Sequence, residues 1–339
     1  MNSKKLLIIQ TAFIGDVILA SSLIEYIKKS YPELTIDFLL RHGNESIIET
    51  NPSINHVWIW DKRHSKFKSL FKLISQVRKE KYDYVINIQR FFNSGLLTVL
   101  AGAKTTIGFH SNPLSLFFKL KITHKIPHLI NGTSLHEVQR NALLAQHMFP
   151  EIKEVPLSQL KCSIYFNQED KKKIEELNLK TPYFVIAPAS VWYTKQWHLS
   201  KWKELILELK KRGTVILIGA PTDLEFTQQI TRDEDVMNLC GRLTLRQSAL
   251  LIKSAKRFFA NDSAPLHLAS AVNANTTAIF CSTVPEFGYF PLSDNNKLIQ
   301  LTPRLECMPC GLHGHNSCPK GHFKCAMDIN TQTVIDTID

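Results

Sequence analysis

The chain has 339 residues, 44% apolar and 21% charged, with 41 Lys and Arg against 30 Asp and Glu for a formal net charge of +11, and seven cysteines. That is an ordinary globular composition at a length that predicts two domains, each able to bury a core. It contains no apolar run of membrane-spanning length, and Leu6-Leu7-Ile8-Ile9 is interrupted by Gln10, Thr11, Gly15 and Asp16, so neither a span nor a signal peptide is expected. A cytosolic protein with reduced or metal-bound cysteines follows from that reading, and the positive charge asks for nucleic acid, an anionic membrane surface or a phosphorylated substrate.

In chain order, strands are expected at Leu6–Gln10, Thr35–Leu40, Val57–Trp60 and Tyr84–Ile88 in the first half. Tyr183–Ala187, Val215–Ile218, Arg257–Ala260 and Thr277–Cys281 are expected as strands in the second. Between them lie helical patterns such as Asp16–Ser30, with Val17, Ala20, Ile24 and Ile27 on one face. This is doubly wound α/β architecture written twice. Residues 62–81 combine Lys62, Arg63, Lys66, Lys68, Lys72, Arg78, Lys79 and Lys81 with Phe67, Leu70, Phe71, Ile74 and Val77 at helical spacing. That block reads as a basic amphipathic helix, either a solvated face or a binding surface. No RNA-binding, zinc-finger or helix-turn-helix signature accompanies it. The domain boundary is expected near residue 165, where proline, charge and short apolar pieces interrupt the alternation.

The stretch from Phe258 to Cys281 is the most informative. A strand runs into Asn261-Asp262-Ser263, an amphipathic segment with His267 follows, and a second strand comes after a turn. A helix N-terminus at a strand's C-terminal end is where α/β proteins hold phosphate. Asp262 or Ser263 can cap that helix, and Pro265 suits its first turn. A plain capped helix is the alternative. Ile8 to Asp16 is a strand, a tight turn and a helix start with neither Gly-x-Gly-x-x-Gly nor a Walker loop. Asp16 can act there as a general base toward a sugar hydroxyl, or simply cap the helix. Lys195, in a strand-to-helix loop, can offset charge on a departing diphosphate, or be a surface lysine beside aromatics. Asp223, after Ile218-Gly219, can bind ribose hydroxyls or cap a helix.

Taken together, the Gly15-Asp16 turn, the Lys195-x-Trp197 loop, the Ile218-Gly219 loop with Asp223 and the Asn261-to-His267 segment resemble glycosyltransferase family nine, the ADP-heptose:lipopolysaccharide heptosyltransferases. The resemblance spans nearly the whole chain in motif order. It implies a GT-B fold, two Rossmann-like doubly wound domains facing across a cleft. The N-terminal acceptor-binding domain would cover 1–165, and the nucleotide-sugar domain 166–327 with a Cys-rich segment at 307–325. A helix at about 328–339 would pack back on the N-terminal domain. The implied activity is inverting transfer of L-glycero-D-manno-heptose from ADP-heptose to the inner core of lipopolysaccharide, with no cofactor required. On that resemblance Asp16 matches the general base and Lys195 the diphosphate-binding lysine. Asp262, Ser263 and His267 match phosphate and heptose contacts. Ser190 stands where the family has hydroxyls that bind phosphate, and its neighbour Val191 cannot donate. Ala264 stands where glycine is frequent, and Leu243 where an apolar side chain packs near adenine.

The implied acceptor is a lipid A-core glycolipid at the inner face of the cytoplasmic membrane. The protein is then expected to be cytoplasmic and peripheral there, with Lys62, Arg63 and Lys66 attracting acidic lipid or core sugars and no nucleic acid as partner. Cys307-x2-Cys310-x7-Cys318-x6-Cys325, with His313, His315 and His322 between, is compact enough for a structural zinc, with reduced or partly oxidised loop cysteines as the alternative. A similar Cys-rich segment in the heptosyltransferase II branch tilts the subgroup that way. Two other classes stay open, a family member with another nucleotide-sugar or acceptor, and a non-catalytic anion- or nucleic-acid-binding protein.

Overall fold

The computed structural model describes residues 3–63, 66–126, 129–130, 133–231 and 236–338, with the backbone alone at 66, 129–130 and 133. It divides into two compact units, Met1–Tyr165 and Phe166–Asp339.

The first unit is built on six parallel strands, β1 (Lys5–Ile9), β2 (Thr35–Arg41), β3 (Ile54–Trp60), β4 (Tyr84–Asn87), β5 (Thr105–Phe109) and β6 (Leu120–Ile122). Their order is β3-β2-β1-β4-β5-β6, so the winding reverses between β1 and β4. Leu6 to Ile9 are all buried, as expected of a central strand covered on both faces. The helices are α1 (Ile14–Ser30), α2 (Lys66–Lys79), α3 (Phe92–Leu100) and α4 (Glu137–Met148), and a short antiparallel pair, β7 (Leu129–Ile130) and β8 (Thr133–Ser134), precedes α4. The basic block does form a helix. Its buried stripe is Leu70, Leu73, Ile74 and Val77, packed with Leu7, Leu39 and Trp60, while Phe67 and Phe71 stand exposed. The i, i+3, i+4, i+7 spacing of those four explains the face chosen.

The second unit repeats the design. Strands β9 (Tyr183–Ala187), β10 (Thr214–Leu217), β11 (Met237–Asn238), β12 (Arg257–Asn261), β13 (Thr276–Phe280) and β14 (Asn296–Gln300) are ordered β11-β10-β9-β12-β13-β14, all parallel. Around them run α5 (Gln168–Glu175), α6 (Leu199–Lys210), α7 (Leu224–Thr231), α8 (Leu245–Lys253), α9 (Ala264–Ala271), α10 (Lys324–Met327) and α11 (Thr331–Ile335). One core joins Phe184, Ile186, Trp197, Trp202 and Leu205 to Ala326, Val334, Ile335 and Ile338.

That last contact corrects an expectation. The terminal helix was expected to pack back on the first unit, whereas α11 lies against α6 in the second. Its apolar side chains complete the second unit's core, Thr337 Oγ1 meets Thr277 Oγ1 at 2.7 Å, and the Thr331 hydroxyl donates to Glu204. Burying Val334, Ile335 and Ile338 stabilises that docking by roughly 1.5–3 kcal/mol per side chain.

Candidate active site

In open parallel sheets ligands collect beyond the strands' C-terminal ends, where the winding reverses. In the first unit that point is the β1–α1 turn. Asp16 occupies the first turn of α1, and its carboxylate accepts the Phe13 N–H at 3.2 Å. The capping alternative is thus realised, since Phe13 at the N-cap has no side-chain acceptor of its own. The turn is held from both sides. Gln10 Oε1 accepts the Ala12 N–H at 3.2 Å and the Gln89 side-chain amide, and Asn44 Nδ2 donates to Ala12 O at 3.1 Å.

Capping alone would hold a carboxyl low, yet that of Asp16 is raised to about 7. Burial is the largest cause and the charge of Glu137 the next, opposed by the amides of Phe13 and Asp16 and by Arg90. Glu137 itself stays ionised. Burial opposes its charge, but the His124 hydrogen bond and the Arg140 guanidinium outweigh it and hold its pKa at about 2. His124 Nε2 lies 3.3 Å and Arg140 Nε 2.7 Å from Glu137 Oε2. A carboxyl poised near neutrality accepts and returns a proton readily, as a general base requires.

In the second unit the winding reverses between β9 and β12, and two loops meet there. Asn261, the last residue of β12, accepts the Trp197 N–H on Oδ1 at 2.9 Å and donates Nδ2 to Pro188 O. It therefore clasps the loop that carries Lys195. Trp197 is fully buried edge-on to Trp202, 5.1 Å between centroids, which anchors the loop's far end. Lys195 Nζ then reaches Asp262 Oδ2 at 2.6 Å, and Thr283 Oγ1 donates to the same oxygen at 2.6 Å. Lys195 is no loose surface lysine, and Asp262 is not the helix cap. Ser263 takes the N-cap position of α9 without a side-chain capping bond, its hydroxyl donating to Asn261 O at 3.2 Å. The first-turn amides of α9 are therefore left without a side-chain cap, and they suit an anion. Ala264 opens the helix and His267 is buried one turn in.

Ser190 lies half-buried on the clasped loop, its carbonyl accepting from Gln196 Nε2 at 2.8 Å, and Val191 is exposed. Asp223 accepts the Ala220 N–H at 2.8 Å, so here too the cap is formed. Leu243 is half-buried just before α8. The Cys-rich segment braces the lysine loop. Thr194 N donates to His315 O at 3.0 Å, His315 N returns a bond to Thr194 Oγ1 at 2.8 Å, and Cys310 N donates to Ser282 O at 2.7 Å. Gly314, at φ +78°, packs so closely that a Cβ would stand 2.8 Å from Thr194 Oγ1 and 3.4 Å from Lys195 Cγ.

Of the basic block, Lys62 Nζ donates to Thr11 O at 2.8 Å and sits 4.4 Å from the Trp60 ring centroid, so it holds the β1 turn. Arg63 is engaged by Asp61 at 2.8 and 3.1 Å, and the Lys66 side chain lies outside the described residues. Open positive charge sits further along α2, at Lys68 and Lys72. Among the cysteines, Cys307 Sγ lies 3.8 Å from His322 Nε2. Burial opposes ionisation of Cys318, but the amides of Phe323, Lys320, Gly321 and His322 outweigh it and lower its pKa. Burial pushes Cys325 up to about 12. No three His, Cys, Asp or Glu side chains among the described residues stand in metal-binding geometry.

The model of glycosyltransferase family 9 (heptosyltransferase) matches residues 70–319, a span that takes in the lysine loop and the whole α9 turn. The chain belongs to glycosyltransferase family 9. Lipopolysaccharide heptosyltransferase 3 of Escherichia coli is 29% identical over 295 residues, 84% of this chain and 85% of its own. Two solved structures share the fold. The family 9 glycosyl transferase from Veillonella parvula has a TM-score of 0.84 at 18% identity, covering 98% of this chain and 95% of that one. The ADP-heptose lps heptosyltransferase II of E. coli has a TM-score of 0.79 at 22% identity, covering 98% and 97%. The fold is accordingly GT-B, and this family 9 member is a heptosyl-type glycosyltransferase. The residues that sequence reasoning missed are Asn261 as the clasp, Thr283 and the Glu137–His124–Arg140 group. Only Asn261 carried a signal, as the first letter of the Asn-Asp-Ser turn.

Proposed function

We propose that this enzyme transfers L-glycero-D-manno-heptose from ADP-heptose to the inner core of lipopolysaccharide by a single inverting displacement, with a heptosyltransferase II-like acceptor choice. The observation that carries it is Asp16, a carboxyl at about 7 on the first unit's switch point. A second observation, in the other unit taken by itself, is a lysine held at that unit's own switch point. Asp16 takes the acceptor hydroxyl proton as that oxygen attacks the anomeric carbon. Lys195 and the α9 amides stabilise the negative charge that grows on the leaving diphosphate. A carboxylate laid directly on a diphosphate would be repelled, so Asp262 acts toward phosphate by holding Lys195 and is better suited to sugar hydroxyls. Ser190, Ser263, Ala264 and His267 are assigned to the phosphates and heptose, Leu243 to the adenine side, and Asp223 to the ribose, which would displace its cap. Neither role asked of Asp16 and Lys195 requires a metal.

The E. coli relative named heptosyltransferase 3 favours a second reading, in which the same donor serves a different core heptose. Offering acceptors that differ by one preceding heptose, and weighing the products, separates the two. The glycolipid acceptor makes the enzyme peripheral on the inner membrane face. In support, no helix among the described residues is long and apolar enough to cross a membrane. We also propose that the Cys-rich loop holds a structural zinc through Cys307, Cys310, Cys318 and Cys325. Those thiols would have to draw together on binding, since no three of them stand in metal-binding geometry as the loop lies. Zinc that copurifies and is lost in Cys318→Ser is the expected result, and metal-free parent protein with full thermal stability contradicts it.

A further inference from the structure

Two loops of the first unit, tied to each other through Asn112, expose apolar side chains. Phe91 and Phe92 open α3 just past β4, and Leu116 and Phe117 follow β5. Leu116 is 77% and Phe117 68% exposed, and Phe91 and Phe92 are also exposed. Asn112 locks the loops together, its Nδ2 donating to Gln89 O at 3.1 Å and Phe91 O at 3.0 Å. Ser115 Oγ ties the second loop to His110 O at 2.8 Å. The four side chains therefore stand on a braced platform rather than on slack chain. Keeping so much aromatic and aliphatic surface in water is unfavourable, and a contiguous apolar patch ringed by polar groups marks an interaction site. Cations flank the two loops in the chain, with Arg90 just before Phe91 and Lys121 in β6 both exposed.

We propose that this platform docks into the headgroup layer of an anionic phospholipid bilayer, its apolar tips entering the acyl boundary while the flanking cations meet lipid phosphates. The inference rests on the reading that the acceptor is a membrane glycolipid, and it adds how the enzyme is held over that surface. Because Gln89, next to Arg90 and Phe91, bonds the β1 turn through Gln10, the platform is continuous with the loop carrying Asp16. The occupant is the bilayer itself, so binding is expected without any acceptor present.

The experiment uses the full chain and acceptor-free vesicles, phosphatidylethanolamine with phosphatidylglycerol in one arm and phosphatidylcholine alone in the other. The parent is expected to sediment with the anionic vesicles and far less with the neutral ones. Leu116→Gln with Phe117→Gln is expected to weaken that partitioning by about tenfold or more at unchanged melting temperature. Leu116→Trp, at a position too exposed to disturb the fold, should show blue-shifted emission with anionic vesicles. Equal sedimentation of parent and double variant, or tryptophan emission unmoved by vesicles, overturns the proposal. If binding behaves as expected while no heptose transfer is ever found, the docking face stands and the acceptor reading falls.

Discussion

Replacing Lys195 with methionine removes the charge that neutralises Asp262 and keeps most of the side chain's volume. The pair is 2.6 Å apart, with side-chain exposures of 14% and 10%, so the stranded carboxylate has little water to turn to. Breaking a buried pair from one side costs about 3–5 kcal/mol, and residual exposure together with the Thr283 hydrogen bond reduces that to roughly 2–3 kcal/mol. Spread over a unit of this size, the melting temperature should fall by roughly 5–10 °C. Asp262→Asn should cost less, because a lysine can swing its ammonium to solvent. The double variant should recover most of the lost stability, since nothing charged is left buried. It should not recover activity. If Lys195 carries diphosphate charge, kcat/KM falls by about 10²–10³-fold in both Lys195 variants. Thermal melts and steady-state transfer on the parent, the two single variants and the double variant complete the cycle. Additive stabilities in that cycle, or a double variant that regains transfer, would refute the reasoning.

The raised carboxyl of Asp16 fixes two opposite pH trends. Its folded pKa of about 7 lies above the ordinary 3.8, so its contribution to stability is complete below the ordinary value and is lost as pH climbs through about 7. Activity runs the other way, and kcat/KM should rise to a plateau with a midpoint near 7, a profile absent from Asp16→Asn. Asp16→Asn should also melt higher than the parent at pH 8 but not at pH 4, as differential scanning can show. Gly314→Ala forces a Cβ against Thr194 and Lys195 at a left-handed φ, and should cost about 1–3 kcal/mol while raising KM for the donor more than it lowers kcat.

The doubly wound alternation was readable because central strands such as Tyr183–Ala187 are continuous apolar runs and α1 carries its stripe at helical spacing. Of the edge strands, β3 alone was expected, as Val57–Trp60, and the others were not. Asn296–Gln300 is mostly polar, and β11 and β6 are two and three residues long, too short for any period to show. Thr105–Phe109, with two threonines and a glycine, lacks an apolar run, although the sheet buries all but its first residue. The terminal helix was misplaced because its partner was taken from the resemblance, and a short segment such as Thr331–Ile335 does not itself say against what it packs. In the site, the Asn-Asp-Ser turn and the strand-to-helix lysine stood out locally. Their union did not, because Lys195 and Asp262 lie 67 positions apart and meet only through the Asn261 clasp. The perturbation of Asp16 was equally hidden, since helix capping alone argues for a low value and the opposing burial and Glu137 charge arise only on folding.

The most direct test of the central claim is transfer itself. Purified enzyme, a Kdo-lipid A acceptor with or without one heptose, and ADP-heptose or other nucleotide-sugars offered singly would be followed by product mass, with Asp16→Asn alongside. The account predicts one heptose-mass increment from ADP-heptose alone, with inverted anomeric configuration, abolished in Asp16→Asn. Transfer of a different sugar, or full transfer by Asp16→Asn, would contradict it.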